Sequence, residues 1–292
     1  MKIKNIGWIG LGKMGIPMAQ KLINVGYAVT VYNRSKAKIE ALSSAGASTA
    51  ESPVQLVPQS EVIFLMVSDD QATREIFTGE TGLLNAPVSG KIFVNMSTVS
   101  PGISQEMARM CREKQSFYLD APVSGSVKQA EEGQLVIMVG SEEAIFHQVK
   151  PLLDQLGKLT LRVGETGAGN SAKLAINTLL GFYAQGLAEA VIFAQQHGIQ
   201  TQDLLTLIGN SALGNIFTKI KGEAIVANNF QPAFALKHIA KDLRLAQQEG
   251  SHTPLAEVVQ NTFQQAESTL GEEDVMAIIK HLNPINESAA TN

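Results

Sequence analysis

The chain has 292 residues, 45% of them hydrophobic and 17% charged, with a formal net charge of −4. That length exceeds one comfortable hydrophobic core and predicts two domains, and the acidic balance excludes a general nucleic-acid surface, leaving only local basic pockets. The single cysteine, Cys111, excludes an intramolecular disulfide and suits a reducing, cytoplasmic setting, where it reads as a buried apolar residue.

The first apolar run, residues 6–9, reads as a strand and leads into Gly10-Leu11-Gly12-Lys13-Met14-Gly15, after which residues 14–25 carry helical hydrophobic spacing. Strand, glycine turn and helix in that order form the phosphate-binding corner of a dinucleotide-binding unit. Gly10 would permit the tight turn, Gly12 the approach of a pyrophosphate, and Gly15 close packing of helix on strand. The helix start would then face the phosphates with its N–H groups and positive dipole end. A plain structural loop would also satisfy the same letters. Met1-Lys2-Ile3-Lys4 does not open a signal peptide.

Further strands are expected at 28–32, 62–67, 92–95, 117–120, 135–139 and 160–163, with Trp8 in the first strand as a core or sheet-edge aromatic. Several are apolar throughout, as strands covered on both faces of a parallel sheet must be. Helical spacing falls between them at 36–45, 71–77, 103–114 and 142–156. The alternation predicts an α/β fold, a Rossmann-type dinucleotide-binding domain over residues 1–164.

The pattern changes at the glycine-rich hinge Gly164-Glu165-Thr166-Gly167-Ala168-Gly169. A long interdomain helix is expected over 171–196, then helices at 203–208, 216–227, 236–250, 254–265 and 274–281, giving an all-α domain over 165–292. The small, polar tail after Pro284 is expected to fray. No apolar run is read as reaching the roughly 18 residues of a bilayer span, so no membrane partner is expected. The five histidines lack metal-ligand spacing and have no cysteine partners, so no metal is expected.

Cofactor choice is read at the end of the second strand. An acid about 20 positions beyond the glycines would bond the ribose hydroxyls of NAD. Val31-Tyr32-Asn33-Arg34-Ser35 has no carboxylate there. Arg34 can instead neutralise a 2′-phosphate, with Asn33 and Ser35 donating hydrogen bonds, so NADP (NADPH) is expected. The alternative makes Arg34 a solvated loop charge.

Further segments carry a family resemblance. Asn95-Met96-Ser97-Thr98 is one. Asp120-Ala121-Pro122-Val123-Ser124-Gly125, followed by Ala130-Glu131-Glu132-Gly133-Gln134-Leu135, is a second. Gly167-Ala168-Gly169 leading to Lys173 and Asn177 is a third, and Phe234-Ala235-Leu236-Lys237-His238 with Lys241-Asp242-Leu243 a fourth. With the amino-terminal glycine motif they span almost the whole chain in order, and the set resembles the β-hydroxyacid dehydrogenase family, related to 3-hydroxyisobutyrate dehydrogenase. Many members carry a second glycine after the Ser-Gly pair, where this chain has Ser126. That departure resembles the glyoxylate/succinic semialdehyde reductase branch, as do Asn33-Arg34-Ser35 and Leu236-Lys237-His238.

Hydride transfer to a carbonyl builds negative charge on oxygen and calls for a proton donor beside it. Lys173 suits that role if desolvation and nearby positive charge lower its pKa. Asn177, four residues on and on the same helix face, could hold the substrate hydroxyl or fix the lysine, matching its family role. The plain alternative is a surface lysine on an amphipathic helix. Ser124, Gly125 and Ser126 could form an anion nest for a substrate carboxylate, or be only a strand-to-helix turn.

The resemblance implies that Thr98 contacts the nicotinamide ribose and that Lys241 lies on the nicotinamide side. It also brings Asp242 near Lys173 and the substrate, although the pair Lys241-Asp242 alone reads as exposed charge. Phe234 is a candidate pocket wall or simply core, and Met66, Val67 and Ser68 end a strand beside the expected cofactor. The expected activity is reduction of small carboxylate-bearing aldehydes, glyoxylate to glycolate and succinic semialdehyde to 4-hydroxybutyrate. The alternatives are a 3-hydroxyisobutyrate or tartronate semialdehyde enzyme, or a non-catalytic NADP-binding regulator. Apolar helices such as 179–193 lead one to expect a homodimer or homotetramer.

Overall fold

A computed structural model of the chain describes residues 3–283, so the tail after Pro284 lies outside the described residues. Six strands run parallel: β1 (Asn5–Ile9), β2 (Ala28–Tyr32), β3 (Ser48–Thr49), β4 (Val62–Leu65), β5 (Ile92–Asn95) and β6 (Phe117–Asp120). Their spatial order is β3-β2-β1-β4-β5-β6. Strand order reverses between β1 and β4, and in an open α/β sheet ligands bind at the carboxyl ends of strands beside such a reversal. The sheet continues with β7 (Val123–Ser124), β8 (Leu135–Gly140) and β9 (Gly157–Gly164). Here β8 runs antiparallel to β6 and β7, and β9 parallel to β8. The sheet is therefore mixed at this end, a departure from the expected parallel sheet. An apolar run carries no sign of its direction.

Alternation along each strand supplies both faces of the sheet with core. Ile6, Trp8, Val62, Phe64, Ile92 and Val94 pack into one cluster, while Ile9, Ile63, Leu65 and Phe93 pack into another. Trp8 is fully buried and stacks on Phe64 with ring centroids 5.4 Å apart, so it is a core residue. Cys111 is likewise buried, and burial pushes its thiol up to about 12.

The helices Gly15–Asn24, Asp70–Thr78, Pro101–Glu113 and Glu143–Leu153 lie between strands much as the hydrophobic spacing predicts. The helix expected over 36–45 is instead a 3₁₀ turn, Lys36–Lys38, and a short helix, Glu40–Ser43. Ser43 and Ser44 turn their hydroxyls back onto the carbonyls of Ile39 and Glu40, local bonds that compete with helix propagation. The short helices Pro53–Leu56 and Val127–Glu132 are too brief to show a period and were not foreseen.

The chain divides into two compact units, Met1–Lys173 and Leu174–Asn292. The division falls inside one continuous helix, Ala168–Gln196, called here the spine helix. Beyond it the described residues form helices Thr201–Gly209, Ile216–Val226, Leu236–Gln248, Pro254–Leu270 and Ile278–Leu282. Their core joins Ala184, Leu187 and Val191 of the spine helix to Leu236, Ile239, Leu243, Val259 and Phe263. The spine helix corrects one expectation: by length and composition alone, its 29 residues could cross a bilayer.

The glycine turn after β1 is packed by necessity. Gly10 has φ +96°, and a Cβ there would stand 2.1 Å from the Met66 carbonyl oxygen. A Cβ on Gly15 would stand 2.0 Å from the Gly10 oxygen, whereas one on Gly12 would meet nothing within 4 Å. Gly15→Ala is therefore expected to destabilise the protein by about 1–3 kcal/mol. Gly12→Ala should leave the thermal midpoint unchanged. Calorimetry on both variants checks this, and equal midpoints for the two would contradict it.

Candidate active site

The candidate cofactor site is built at the carboxyl ends of β1 and β2. The helix Gly15–Asn24 starts with no side-chain cap and no acid in its first turn, an arrangement suited to an anionic ligand. The turn is pinned to β2: Gly10 N–H donates to the Tyr32 carbonyl at 3.1 Å, and Leu11 N–H to Asn33 Oδ1 at 2.9 Å. Asn33 Nδ2 donates in turn to the Ser35 carbonyl at 2.9 Å. Asn33 thus holds the loop together beside its expected place at the cofactor phosphate. Lys13, Arg34 and Ser35 are exposed, and Met14 is half-buried. Arg34 and Lys36 line a cavity of about 510 Å³ with Tyr32, Thr49 and Glu51. Lys36, a cation the sequence reading passed over, pairs with Glu51 at 2.6 Å, which holds its ammonium above the usual value.

These residues fit a dinucleotide. An open approach over Gly12 and an uncapped helix start match its pyrophosphate, and Arg34, in a cavity of mixed charge that Glu40 and Glu51 also line, is a cation able to meet a 2′-phosphate. No carboxylate stands among residues 31–35 to repel that phosphate.

The loops after β4 and β5 are laced together at the same sheet edge. Val67 N–H donates to Ser97 Oγ at 2.8 Å, Ser97 N–H to Asn95 Oδ1 at 3.0 Å, and Ser100 N–H to Asp70 Oδ1 at 2.9 Å. Met66, Val67, Ser68 and Thr98 all lie on these two loops. Ser124, in β7, is half-buried and Gly125 is exposed. Ser126 N–H donates to Gln129 Oε1 at 2.7 Å, and its hydroxyl accepts from Gln129 N–H, a capping box that starts the helix Val127–Glu132. Ser126 thus caps that helix, with its hydroxyl proton still available, and Ser124, Gly125 and Ser126 are the carboxylate-binding candidates.

Lys173 sits in the spine helix at 8% relative exposure, and Asn177, one turn later, at 2%. Burial of a lysine and an amide on one helix stripe costs free energy unless both are partnered. Asn177 Nδ2 donates to Asp242 Oδ2 at 2.5 Å, and Asp242 lies buried on the helix Leu236–Gln248. Lys241 Nζ stands 3.2 Å from Asp242 Oδ1. Phe234 is half-buried against the helical core and stacks on His238, with ring centroids 6.0 Å apart. Burial and the neighbouring ammonium groups of Lys241 and Lys237 lower the pKa of His238.

Two further polar residues escaped the sequence reading. Asp120 and Asn170 are both fully buried, and Asp120 accepts the backbone N–H groups of Gly167 and Asn170, each at 2.7 Å. Burial raises the Asp120 carboxyl to about 6 against the pull of those donors. Asp120 belonged to a quoted motif, and its position as an acid ending an apolar strand was the available signal. Among the described residues no group of acids, histidines or cysteine could hold a metal ion.

Two family models match the chain in succession. The first, the NAD-binding domain of 6-phosphogluconate dehydrogenase, covers residues 5–167. The second, the NAD-binding domain of NADP-dependent 3-hydroxyisobutyrate dehydrogenase, covers residues 167–282. The chain is 36% identical over 281 residues to the 2-(hydroxymethyl)glutarate dehydrogenase of Eubacterium barkeri, covering 94% of this chain and 93% of the relative. It is 34% identical over 280 residues to glyoxylate/succinic semialdehyde reductase 1 of Arabidopsis thaliana, covering 94% and 97%. Among solved structures, the 3-hydroxyisobutyrate dehydrogenase of Mycobacterium tuberculosis with L-serine superposes with a TM-score of 0.89 at 25% identity, covering 96% of this chain and 99% of that one. Glycine turn, sheet order, buried lysine and these likenesses agree: the chain belongs to the β-hydroxyacid dehydrogenase family and is an NAD(P)-dependent oxidoreductase of the hydroxyacid type.

Proposed function

We propose that this enzyme is an NADPH-dependent reductase of small aldehydes that carry a carboxylate, converting glyoxylate to glycolate and succinic semialdehyde to 4-hydroxybutyrate. The observation that carries the reading is the buried pair on the spine helix, Lys173 and Asn177. The names of the Arabidopsis relatives support the substrate class. Arg34 and Lys36 at the cavity beyond β2 support NADPH over NADH.

When bound, the reduced nicotinamide supplies a hydride to the carbonyl carbon. Lys173 passes a proton from Nζ to the carbonyl oxygen as negative charge gathers there, and solvent then restores the proton. Asn177, held by Asp242, orients the substrate oxygen or the lysine. Ser124 Oγ and the Gly125 N–H bind the substrate carboxylate, Phe234 walls the aldehyde chain, and Thr98 and Lys241 hold the nicotinamide end.

Lys173→Ala is expected to lower kcat by about 10²–10⁴-fold with little change in the KM for NADPH. Steady-state kinetics with NADPH on glyoxylate, succinic semialdehyde and tartronate semialdehyde would check it, and full turnover by the variant would end the assignment. Run in the oxidation direction with NADP⁺, greater kcat/KM on 3-hydroxyisobutyrate than on glycolate and 4-hydroxybutyrate would move the enzyme to that substrate. Arg34→Ala should raise the KM for NADPH about tenfold, the loss of one charge-assisted bond, and leave that for NADH unchanged. Equal effects on both cofactors would show that Arg34 does not read the 2′-phosphate.

We also propose self-association through the helical unit. Leu179, Phe193, Leu213 and Ile216 are 52%, 62%, 70% and 77% exposed there, more large apolar surface than a lone helical unit ordinarily leaves in water. Light scattering should return the mass of a dimer or tetramer, and a monomer at micromolar concentration would count against it.

A further inference from the structure

The spine helix begins in an unusual way. Helices are ordinarily capped by a serine, threonine, aspartate or asparagine immediately before the first turn. Here the cap comes from a strand end far away in sequence: Asp120, the last residue of β6, takes the N–H groups of Gly167 and Asn170 at 2.7 Å each. The space around this carboxylate admits no side chains. A Cβ on Gly140 would stand 2.4 Å from Asp120 Oδ1, and one on Gly169 would stand 2.5 Å from the Met138 carbonyl oxygen.

Asn170, in the first turn, makes the second tie. Its Oδ1 accepts from Val99 N–H at 3.0 Å, and its Nδ2 donates to Ser104 Oγ at 3.3 Å. Asn95 Nδ2 donates to the Tyr118 hydroxyl at 3.1 Å, and that hydroxyl donates to Ser104 Oγ at 3.5 Å. A buried polar web therefore joins β5, β6 and the loop carrying Thr98 to the first turn of the helix. Lys173 follows Asn170 by three residues and so lies on the same helix face.

We propose that Asp120 and Asn170 are positioning residues that fix Lys173, through the first turn of the spine helix, in register with the Thr98-Val99 loop. This rests on the reading of Lys173 as the proton donor. Apolar packing and a local serine cap would hold a helix without burying a charge. What the distant carboxylate adds is a fixed distance between the end of β6 and the start of the helix. Asn170 extends that constraint to the loop expected to carry the nicotinamide ribose. The ties run from the Asp120 and Asn170 side chains to neighbouring backbone and to Ser104, and none involves the Lys173 side chain, so a lost tie displaces the lysine without removing it.

The test uses the full-length enzyme with bound NADPH, mixed in stopped flow with the best aldehyde of the panel under single-turnover conditions. Parent, Asn170→Ala, Asp120→Asn and Lys173→Ala are compared. A purely structural defect lowers the amplitude of NADPH oxidation, because fewer molecules are folded, and leaves the rate constant alone. The proposal expects the rate constant in Asn170→Ala and Asp120→Asn to fall by about 10²-fold, the effect of roughly 1 Å of misplacement. It also expects the NADPH Kd of Asp120→Asn to stay within about twofold of the parent, since that change touches neither the glycine turn nor the Thr98-Val99 loop. Parental rate constants in both, with Lys173→Ala inactive, overturn the positioning role and leave the proton donor standing. An active Lys173→Ala overturns the functional reading itself. Should Asp120→Asn fail to fold, Asn170→Ala decides alone, alanine being the best helix former at that position.

Discussion

A lysine and an asparagine buried one turn apart on a single helix set the terms for the rest of the molecule. Neither is placed there cheaply: an ammonium that leaves water needs partners, and an amide without a hydrogen bond costs free energy that packing must offset. The helix that carries them starts on a carboxylate at a strand end and continues as a core element of the helical unit. The division between the two compact units falls within this helix, at Lys173 and Leu174.

The cofactor half obeys a different economy. The glycine turn works because side chains are missing, with Gly10 and Gly15 demanded by the packing and Gly12 left open. Asn33 bonds the glycine turn and the Ser35 carbonyl. It closes the loop so that the neighbouring Arg34 is presented in a defined place. The cavity beyond β2 carries charge of both signs, Arg34 and Lys36 with Glu40 and Glu51, and Glu51 restrains Lys36 at its rim.

Much of this was legible in the sequence wherever the signal was local. Apolar runs such as 28–32 and 92–95 mark strands to the residue, and the glycine motif announced its own turn. Lys173 and Asn177 were legible as a pair because four residues is one helical turn. What remained hidden depended on partners remote in sequence. Asp120 and Asn170 are fifty residues apart, and no spacing rule joins a strand end to a helix start. The capping box that Ser126 forms with Gln129 was likewise not read from the sequence. The break at Lys36–Ser43 turned on which way two hydroxyls point. Strand direction at β8 turned on pairing that an apolar run does not encode.

The most direct measurement of the central claim is a crystal structure of the enzyme with NADP⁺ and a hydroxy-acid product such as glycolate. The account predicts Lys173 Nζ within about 3.2 Å of the product hydroxyl oxygen, the reach a proton transfer demands. It further predicts the carboxylate against Ser124 and Gly125. A lysine ammonium turned to bulk water, with another donor or a water molecule at that hydroxyl, would contradict it.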